Sequence, residues 1–91
     1  MANKMHCAHI LVKTEEEAKR VLDELKGGKS FSKVAKECSL CPSKKRGGDL
    51  GTFGRGKMVK EFEKAAFSLT KAQTSDPVKT QFGWHIIKRL D

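Results

Sequence analysis

The sequence lacks a long apolar run, an even set of cysteines and any repeated or low-complexity segment. No stretch approaches the ~20 apolar residues that a transmembrane helix needs, which argues against a membrane span. The first residues, MANKMHCAHILVK, show no small-residue cleavage pattern, so the sequence predicts no signal peptide and a cytoplasmic location. An odd cysteine count (Cys7, Cys38 and Cys41) argues against a disulfide scaffold and leaves at least one thiol free.

The composition is basic, with nineteen Lys and Arg against eleven Asp and Glu and a net charge of +8. Hydrophobic residues make up 37% and charged residues 33%, a balance typical of soluble globular proteins. The length of 91 residues predicts one domain, residues 1–91. Because the charges are spread along the chain, they fit either a solvated surface or contact with an anionic partner such as nucleic acid or membrane.

The chain begins with a predicted strand and a predicted helix. Residues 5–13 alternate between two largely apolar faces, which indicates a central strand covered on both sides. A capping box begins the helix at Thr14, where the hydroxyl accepts an amide N–H and Glu17 reaches back toward the cap. Gly27 and Gly28 end this helix.

The rest of the chain predicts two more helices and three short strands. Ser30 caps the second helix, whose apolar side includes Cys38, and Pro42 closes that segment. Residues 43–57 form a loop with five glycines. A short strand at 50–53 is predicted within this loop, followed by a helix at 59–69, an edge strand at 77–79 and a strand at 82–90. This order predicts an α+β fold with a small, mostly antiparallel sheet.

Two histidines are the first candidates for chemistry. His9 and His85 each lie in the middle of a predicted strand with apolar neighbours. A single histidine in such a place is usually a hydrogen-bonded core residue. Two of them in the strands predicted to be central favour a pair, because imidazoles that meet can share a proton and are costly to bury for packing alone.

The segment from Cys38 to Cys41 has the C-x-x-C spacing of redox motifs and of half a zinc site. The chain has no second C-x-x-C or H-x₃₋₅-H pair to complete a structural zinc site. It also lacks the βαβ order that places a redox pair at the start of a helix. Cys38, on the apolar side of its helix, is predicted to be a core residue, and Cys41, just before Pro42, is the more accessible thiol. The sequence predicts no bound metal and no cofactor.

The glycine-rich loop matches neither G-x-x-x-x-G-K-[ST] nor G-x-G-x-x-G, so tight turns explain it better than phosphate binding. Met58 follows this loop directly, one helical turn before Phe62. Such a pair is core by default. Methionine adapts to varied apolar partners, so Met58 and Phe62 are also candidates for the floor of an apolar pocket.

Several segments together resemble the parvulin family of peptidyl-prolyl cis/trans isomerases. The central signature is Arg46-Gly-Gly-Asp-Leu-Gly51, followed by Phe53, Gly56-Lys-Met58, Phe62 and Phe67. Residues 8–12 (AHILV) resemble the first strand of the family and residues 82–87 (FGWHII) its last. The resemblance covers nearly the whole chain and implies a four-stranded, mainly antiparallel sheet surrounded by about four helices.

The resemblance also implies an active site. The paired histidines of the family fall on His9 and His85, its cysteine on Cys41, and the threonine that supports the histidines on Thr80. The residues that would contact the substrate are Leu50, Met58 and Phe62, which form the proline pocket, together with Phe82.

Members of the family that select phosphoserine or phosphothreonine carry a long basic loop after the first strand. Here the junction is short and acidic, with Glu15 to Glu17, and Leu40 and Phe82 replace an acidic residue and a serine found in such members. We therefore expect a monomeric isomerase that acts on proline-containing polypeptides, needs no phosphate and prefers apolar or neutral residues before proline. The alternatives are a chaperone that only binds proline segments and a basic accessory domain for nucleic acid or membranes.

Overall fold

The computed structural model describes residues 4–91. This part of the chain contains four strands, three α-helices and one 3-10 helix. In order they are β1 (Lys4–Val12), α1 (Glu15–Lys26), α2 (Phe31–Cys38), the 3-10 helix (Pro42–Arg46), β2 (Asp49–Gly54), α3 (Lys60–Ser68), β3 (Val78–Thr80) and β4 (Gly83–Arg89). The predicted α+β class is confirmed. Residues 1–3 of the predicted domain 1–91 lie outside the described residues, so that extent stays a prediction.

The strands form one sheet in the order β2-β1-β4-β3. In this order β1 and β4 are the central strands and β3 lies at an edge, as the sequence predicts. Every neighbouring pair of strands is antiparallel. Pro77 directly precedes β3, where its missing N–H costs no ladder hydrogen bond.

The alternation along β1 divides the core between the two faces of the sheet. Ala8, Ile10 and Val12 point toward α1 and α2, in a cluster with Val21 and Ile86. Met5 and Cys7 point the other way, toward α3, in a second cluster that also contains Phe53, Phe62, Ala66, Leu69 and Ile87. Both faces of β1 are therefore covered, and the odd-numbered positions, including residue 9, face α3.

Helix α1 begins at the predicted cap. The hydroxyl of Thr14 accepts the N–H of Glu17 at 3.2 Å. The carboxylate of Glu17 accepts the hydroxyl proton of Thr14 at 3.1 Å, so it reaches the side chain of the cap rather than its backbone N–H. Ser30 caps α2 in the same way by accepting the N–H of Lys33 at 3.1 Å.

The structure corrects the prediction for Cys38. The spacing placed Cys38 on the buried side of α2, whereas the residue is exposed at the last position of the helix. Its thiol donates to the carbonyl of Val34 at 3.2 Å instead of packing in the core. Pro42 also does not end α2, because the helix stops at Cys38 and Pro42 begins the 3-10 helix.

The glycine-rich loop is held directly against β1. The N–H of His9 donates to the carbonyl of Gly48 at 2.9 Å, and Gly48 has a φ of +86°. A Cβ atom at Gly48 would overlap the carbonyl oxygen of His9. Glycine is therefore required here both by the backbone conformation and by the close approach of the two segments.

Candidate active site

A pocket of about 460 Å³ opens on the α3 side of the sheet. The residues that line it come from β1, β2, β4, α3, the start of the 3-10 helix, the loops around residues 40 and 58, and the turn between β3 and β4. They are His9, Leu11, Leu40, Cys41, Pro42, Leu50, Lys57, Met58, Val59, Phe62, Phe82 and His85. Seven of the eight predicted site residues are in this set, and the eighth, Thr80, is hydrogen-bonded to His85.

The two histidines meet at the inner wall of the pocket. Strand register pairs His85 with Leu11, so His9 and His85 are diagonal neighbours on the same face of β1 and β4. Their Nδ1 atoms lie 2.9 Å apart and their rings are nearly parallel, with an interplanar angle of 19°. Both residues are buried. The expected histidine pair is present.

The hydrogen bonds around Thr80 fix the direction of the proton between the histidines. Thr80 Oγ1 accepts the N–H of Phe82 at 3.1 Å and lies 2.7 Å from Nε2 of His85. The arrangement that satisfies the buried hydroxyl has Thr80 donating to His85 Nε2. We therefore assign the His85 proton to Nδ1, which donates to Nδ1 of His9, and the His9 proton to Nε2, a buried nitrogen without a hydrogen-bond partner among the described residues.

Both rings are neutral at pH 7. Burial, and to a smaller extent the neighbouring His85 ring, lowers the pKa of His9 to about 4. Burial lowers the pKa of His85 to about 4 as well. A neutral pair gives the inner wall of the pocket directed hydrogen bonds without placing a charge there.

Phe62 covers the histidine pair from α3. Its ring meets both imidazoles edge to face, with centroids 5.5 Å from His9 and 5.4 Å from His85. Leu50 and Met58 are partly buried beside it and pack against the same cluster. These three side chains form the apolar floor that the sequence predicts, with room for a ring of the size of proline.

Cys41 lines the same pocket, lies between α2 and the 3-10 helix, and is partly exposed. Its N–H donates to Oγ of Ser39 at 3.3 Å. The preceding residue, Leu40, is 61% exposed and also lines the pocket. Cys41 thus shares the pocket with the histidines, and its thiol makes no hydrogen bond with either ring.

Five residues of the pocket were not predicted as site residues: Leu11, Leu40, Pro42, Lys57 and Val59. Three of them carried a readable signal. Leu11 shares the face of His9 on the predicted strand, and Leu40 and Pro42 flank Cys41. Lys57 and Val59 flank Met58, but a loop lysine gives no periodic signal of its position.

The other two cysteines lie away from the pocket. Burial raises the pKa of the Cys7 thiol to about 11. Partial shielding of the sulfur, with the nearby carboxylates of Glu24 and Glu37, raises the pKa of Cys38. Redox-active cysteines have lowered pKa values, so neither thiol has the environment of a redox centre.

Residues 4–91 contain no group of three or more His, Cys, Asp or Glu side chains placed to hold a metal ion. Over the same residues, no helix has the length and apolarity that a bilayer crossing requires.

Comparisons with known proteins agree with this geometry. Residues 9–91 match the family model described as "Rotamase: PPIC-type PPIASE domain". The foldase protein PrsA of Geobacillus kaustophilus is 57% identical over 89 residues, which cover 97% of this chain and 32% of that protein. The chain thus spans about a third of the length of the first curated relatives it matches.

Several solved structures match this chain over nearly their full length. NmPin, the parvulin of Nitrosopumilus maritimus, is 48% identical with a TM-score of 0.90, over 100% of this chain and 99% of that one. CsPin of Cenarcheaum symbiosum is 56% identical with a TM-score of 0.87, over 100% and 95% of the two chains. The chain therefore belongs to the parvulins, the family of PPIC-type peptidyl-prolyl cis/trans isomerases.

Proposed function

We propose that this chain catalyses rotation about Xaa-Pro bonds in unphosphorylated polypeptides, with a preference for apolar residues at Xaa, and so assists folding. The observation that carries the proposal is the pocket itself, in which an apolar floor of Leu50, Met58 and Phe62 lies beside a buried, neutral histidine pair. Family membership supports the isomerase chemistry. The substrate preference rests on the side chains around the pocket mouth.

The reaction breaks no bond and needs no cofactor. Partial double-bond character of the C–N bond gives a rotation barrier of ~18–20 kcal/mol. The planar amide is a charge-separated resonance form that water stabilises, so a pocket that excludes water favours the twisted state. Phe62 and Met58 hold the proline ring while the preceding carbonyl turns. A 10⁴-fold acceleration requires about 5.5 kcal/mol of such differential stabilisation.

Cys41 lines the pocket, and its role in this proposal is to act near the turning carbonyl oxygen. We assign it an electrostatic role, because rotation gains nothing from a covalent step. His9, His85 and Thr80 keep the inner wall rigid through their hydrogen bonds. The pair stays neutral and therefore places no fixed charge at the inner wall.

The pocket mouth is apolar rather than basic. Leu40 and Phe82 are the large hydrophobic side chains that stay exposed among residues 4–91, each at 61%, and both line the pocket. Lys57 is the one Lys or Arg among the described residues of the lining. Phosphate recognition by proteins uses clusters of cations, usually arginines. The mouth therefore favours an apolar side chain next to proline over a phosphorylated one.

Exchange spectroscopy on short Xaa-Pro peptides tests the proposal directly. Peptides with leucine, arginine or phosphoserine at Xaa are compared with and without the protein. We expect acceleration of exchange that is largest for leucine and smallest for phosphoserine. Equal or greater acceleration of the phosphoserine peptide would contradict the substrate preference.

A pair of variants separates the pocket from general destabilisation. Met58→Ala removes part of the floor, and we expect about a tenfold loss of kcat/KM, since truncating a contact of this size costs roughly 1.4 kcal/mol. Leu25→Ala is the control, because Leu25 packs against the cluster on the other face of the sheet. A folded protein that binds the peptides but accelerates none of them would instead support the binding-only chaperone.

We also propose an anionic partner for the basic surface, a cytoplasmic location and a monomeric state. A net charge of +8 supports contact with an anionic surface. The test is binding to nucleic acid or anionic vesicles at increasing salt concentration, where we expect the affinity to decrease steeply. The free thiols of Cys7, Cys38 and Cys41 fit the proposed reducing, cytoplasmic location. Sedimentation across a range of protein concentrations tests the proposed monomer.

A further inference from the structure

The backbone of Leu11 is bound by a segment that is not a strand. Leu11 pairs with His85 in β4 on one side. On its other side, β2 pairs with β1 only as far as Ala8, where Asp49 is the partner. Beyond that point the N–H of Leu11 donates to Oγ of Ser39 at 3.1 Å, and its carbonyl accepts the N–H of Leu40 at 2.8 Å.

Ser39 connects this strand position to the cysteine wall of the pocket. Its side chain is buried, with 2% of the residue exposed. The same Oγ atom lies within hydrogen-bond distance of the N–H groups of Leu11 and of Cys41, at 3.1 Å and 3.3 Å. One hydroxyl oxygen therefore joins the strand that carries His9 to Cys41, which lines the same pocket.

We propose that Ser39 is a positioning residue that sets the distance between the Leu40–Cys41 wall and the histidine wall. The segment after α2 has extended backbone at both Ser39 and Cys41. The last turn of α2 and the first turn of the 3-10 helix bond its two ends, but no strand pairs with it. The bonds to Leu11 replace the missing ladder. Without the Ser39 oxygen, the N–H of Cys41 loses its hydrogen-bond acceptor, and only the bond from the N–H of Leu40 to the carbonyl of Leu11 still joins this wall to β1.

The test compares Ser39→Ala with Ser75→Ala. Ser75 is also a buried serine that accepts a backbone N–H of a central strand, from Ile87 at 2.9 Å, and it does not line the pocket. Each variant removes one buried hydroxyl that accepts the N–H of a residue in a central strand. Each variant thus leaves one strand N–H without its acceptor, and only Ser39→Ala also removes the acceptor of the Cys41 N–H.

The first measurement is alkylation of the thiols by iodoacetamide, followed by fragmentation of the labelled peptides to separate Cys41 from Cys38. We expect Cys41 to react about fivefold faster in Ser39→Ala, the change that the loss of one hydrogen bond produces. In Ser75→Ala the rate at Cys41 should equal that of the unmodified protein. Equal Cys41 rates in the two folded variants would overturn the proposal.

The second measurement needs no variant. In the unmodified protein the amide hydrogens of Leu11 and Cys41 should exchange with solvent more slowly than those of an unstructured peptide. Exchange of the Cys41 amide at the unstructured rate would overturn the proposal even if Ser39→Ala does not fold. A third measurement is kcat/KM, which should fall in Ser39→Ala and not in Ser75→Ala. This measurement alone rests on the proposed function, because thiol reactivity and amide exchange can be measured without isomerase activity.

Discussion

The Nδ1 atoms of His9 and His85 lie 2.9 Å apart across the two central strands, so a single proton lies between the rings. Both imidazoles are buried and neutral. Their partners extend to Thr80 and, through its hydroxyl, to the backbone of Phe82 at the pocket mouth. This chain of hydrogen bonds connects the stability of the sheet to the geometry of the pocket, and both properties can be measured.

The histidine pair predicts how stability depends on pH. The folded pKa of each ring is about 4, below the ordinary value of 6.5. As pH falls through this range, the unfolded chain takes up protons that the native protein does not, so the free energy of unfolding decreases. We expect a loss on the order of a few kcal/mol between pH 7 and pH 4, measured by urea unfolding.

His6→Gln is the control for the pH experiment. His6 is partly exposed and lies 2.7 Å from Asp49, away from the pair. The Asp49 carboxylate accepts the N–H of Gly51, which lowers its pKa below 3.8, so its contribution to stability is lost only at more acidic pH. The variant should keep the decrease between pH 6.5 and pH 4.5. A stability that is constant across that range would show that the pair is not neutral in the native state.

Two variants of Thr80 test the contribution of its hydroxyl to stability, and NMR tests the direction of the proton between the histidines. Thr80→Val leaves the N–H of Phe82 and Nε2 of His85 without their partner, and we expect a destabilisation of about 1–3 kcal/mol. Thr80→Ser keeps the hydroxyl and should retain most of the stability. Nitrogen NMR of the unmodified protein should find the His85 proton on Nδ1 and the His9 proton on Nε2; the reverse tautomers would refute the assignment.

Cys41→Ser tests the electrostatic role of the thiol. We expect kcat/KM to fall about tenfold, equivalent to about 1.4 kcal/mol of barrier, while catalysis stays above the uncatalysed rate. Cys38→Ser is the matched control, because Cys38 is exposed and does not line the pocket. Complete loss of activity in a folded Cys41→Ser protein would require an essential, nucleophilic thiol instead.

Two glycines separate backbone strain from steric overlap. Gly48 and Gly51 have similar φ angles, +86° and +74°, but only Gly48 lies against another segment. Gly51→Ala should cost about 1 kcal/mol, because its Cβ would enter open space and only the backbone conformation is unfavourable. Gly48→Ala should cost several times more, on the order of 3–5 kcal/mol, because its Cβ overlaps the carbonyl oxygen of His9. Equal thermal stability of the two variants would contradict the close approach.

Much of the fold follows from patterns a few residues long. The caps at Thr14 and Ser30 begin α1 and α2 where the sequence predicts, since the hydroxyl and the amide it accepts are three residues apart. The alternation in residues 5–13 predicts a central strand, and β1 occupies residues 4–12 with both faces covered. Where only local spacing matters, the predicted bounds of a helix or strand agree with the structure to within a residue or two.

The candidate site was predictable to the extent that the resemblance to the parvulins names its residues. The resemblance identified His9, His85, Thr80 and Cys41, and the register of β1 with β4 brings the first two together. Residue spacing alone left the histidines as either core or active-site residues, because the contact joins positions 76 apart in the chain. Their roles in catalysis stay predictions until the variants are measured.

The sequence by itself determined the helix caps, the two-faced central strand and the apolar and basic character of the chain. Tertiary structure decided the exposure of Cys38, because the apolar spacing of α2 continues past the point where other elements cover the helix. It also decided that Ser39, rather than β2, binds the backbone of Leu11. The physical reason is that capping and side-chain alternation act over a few residues, whereas burial and the choice of backbone partner depend on where distant segments end.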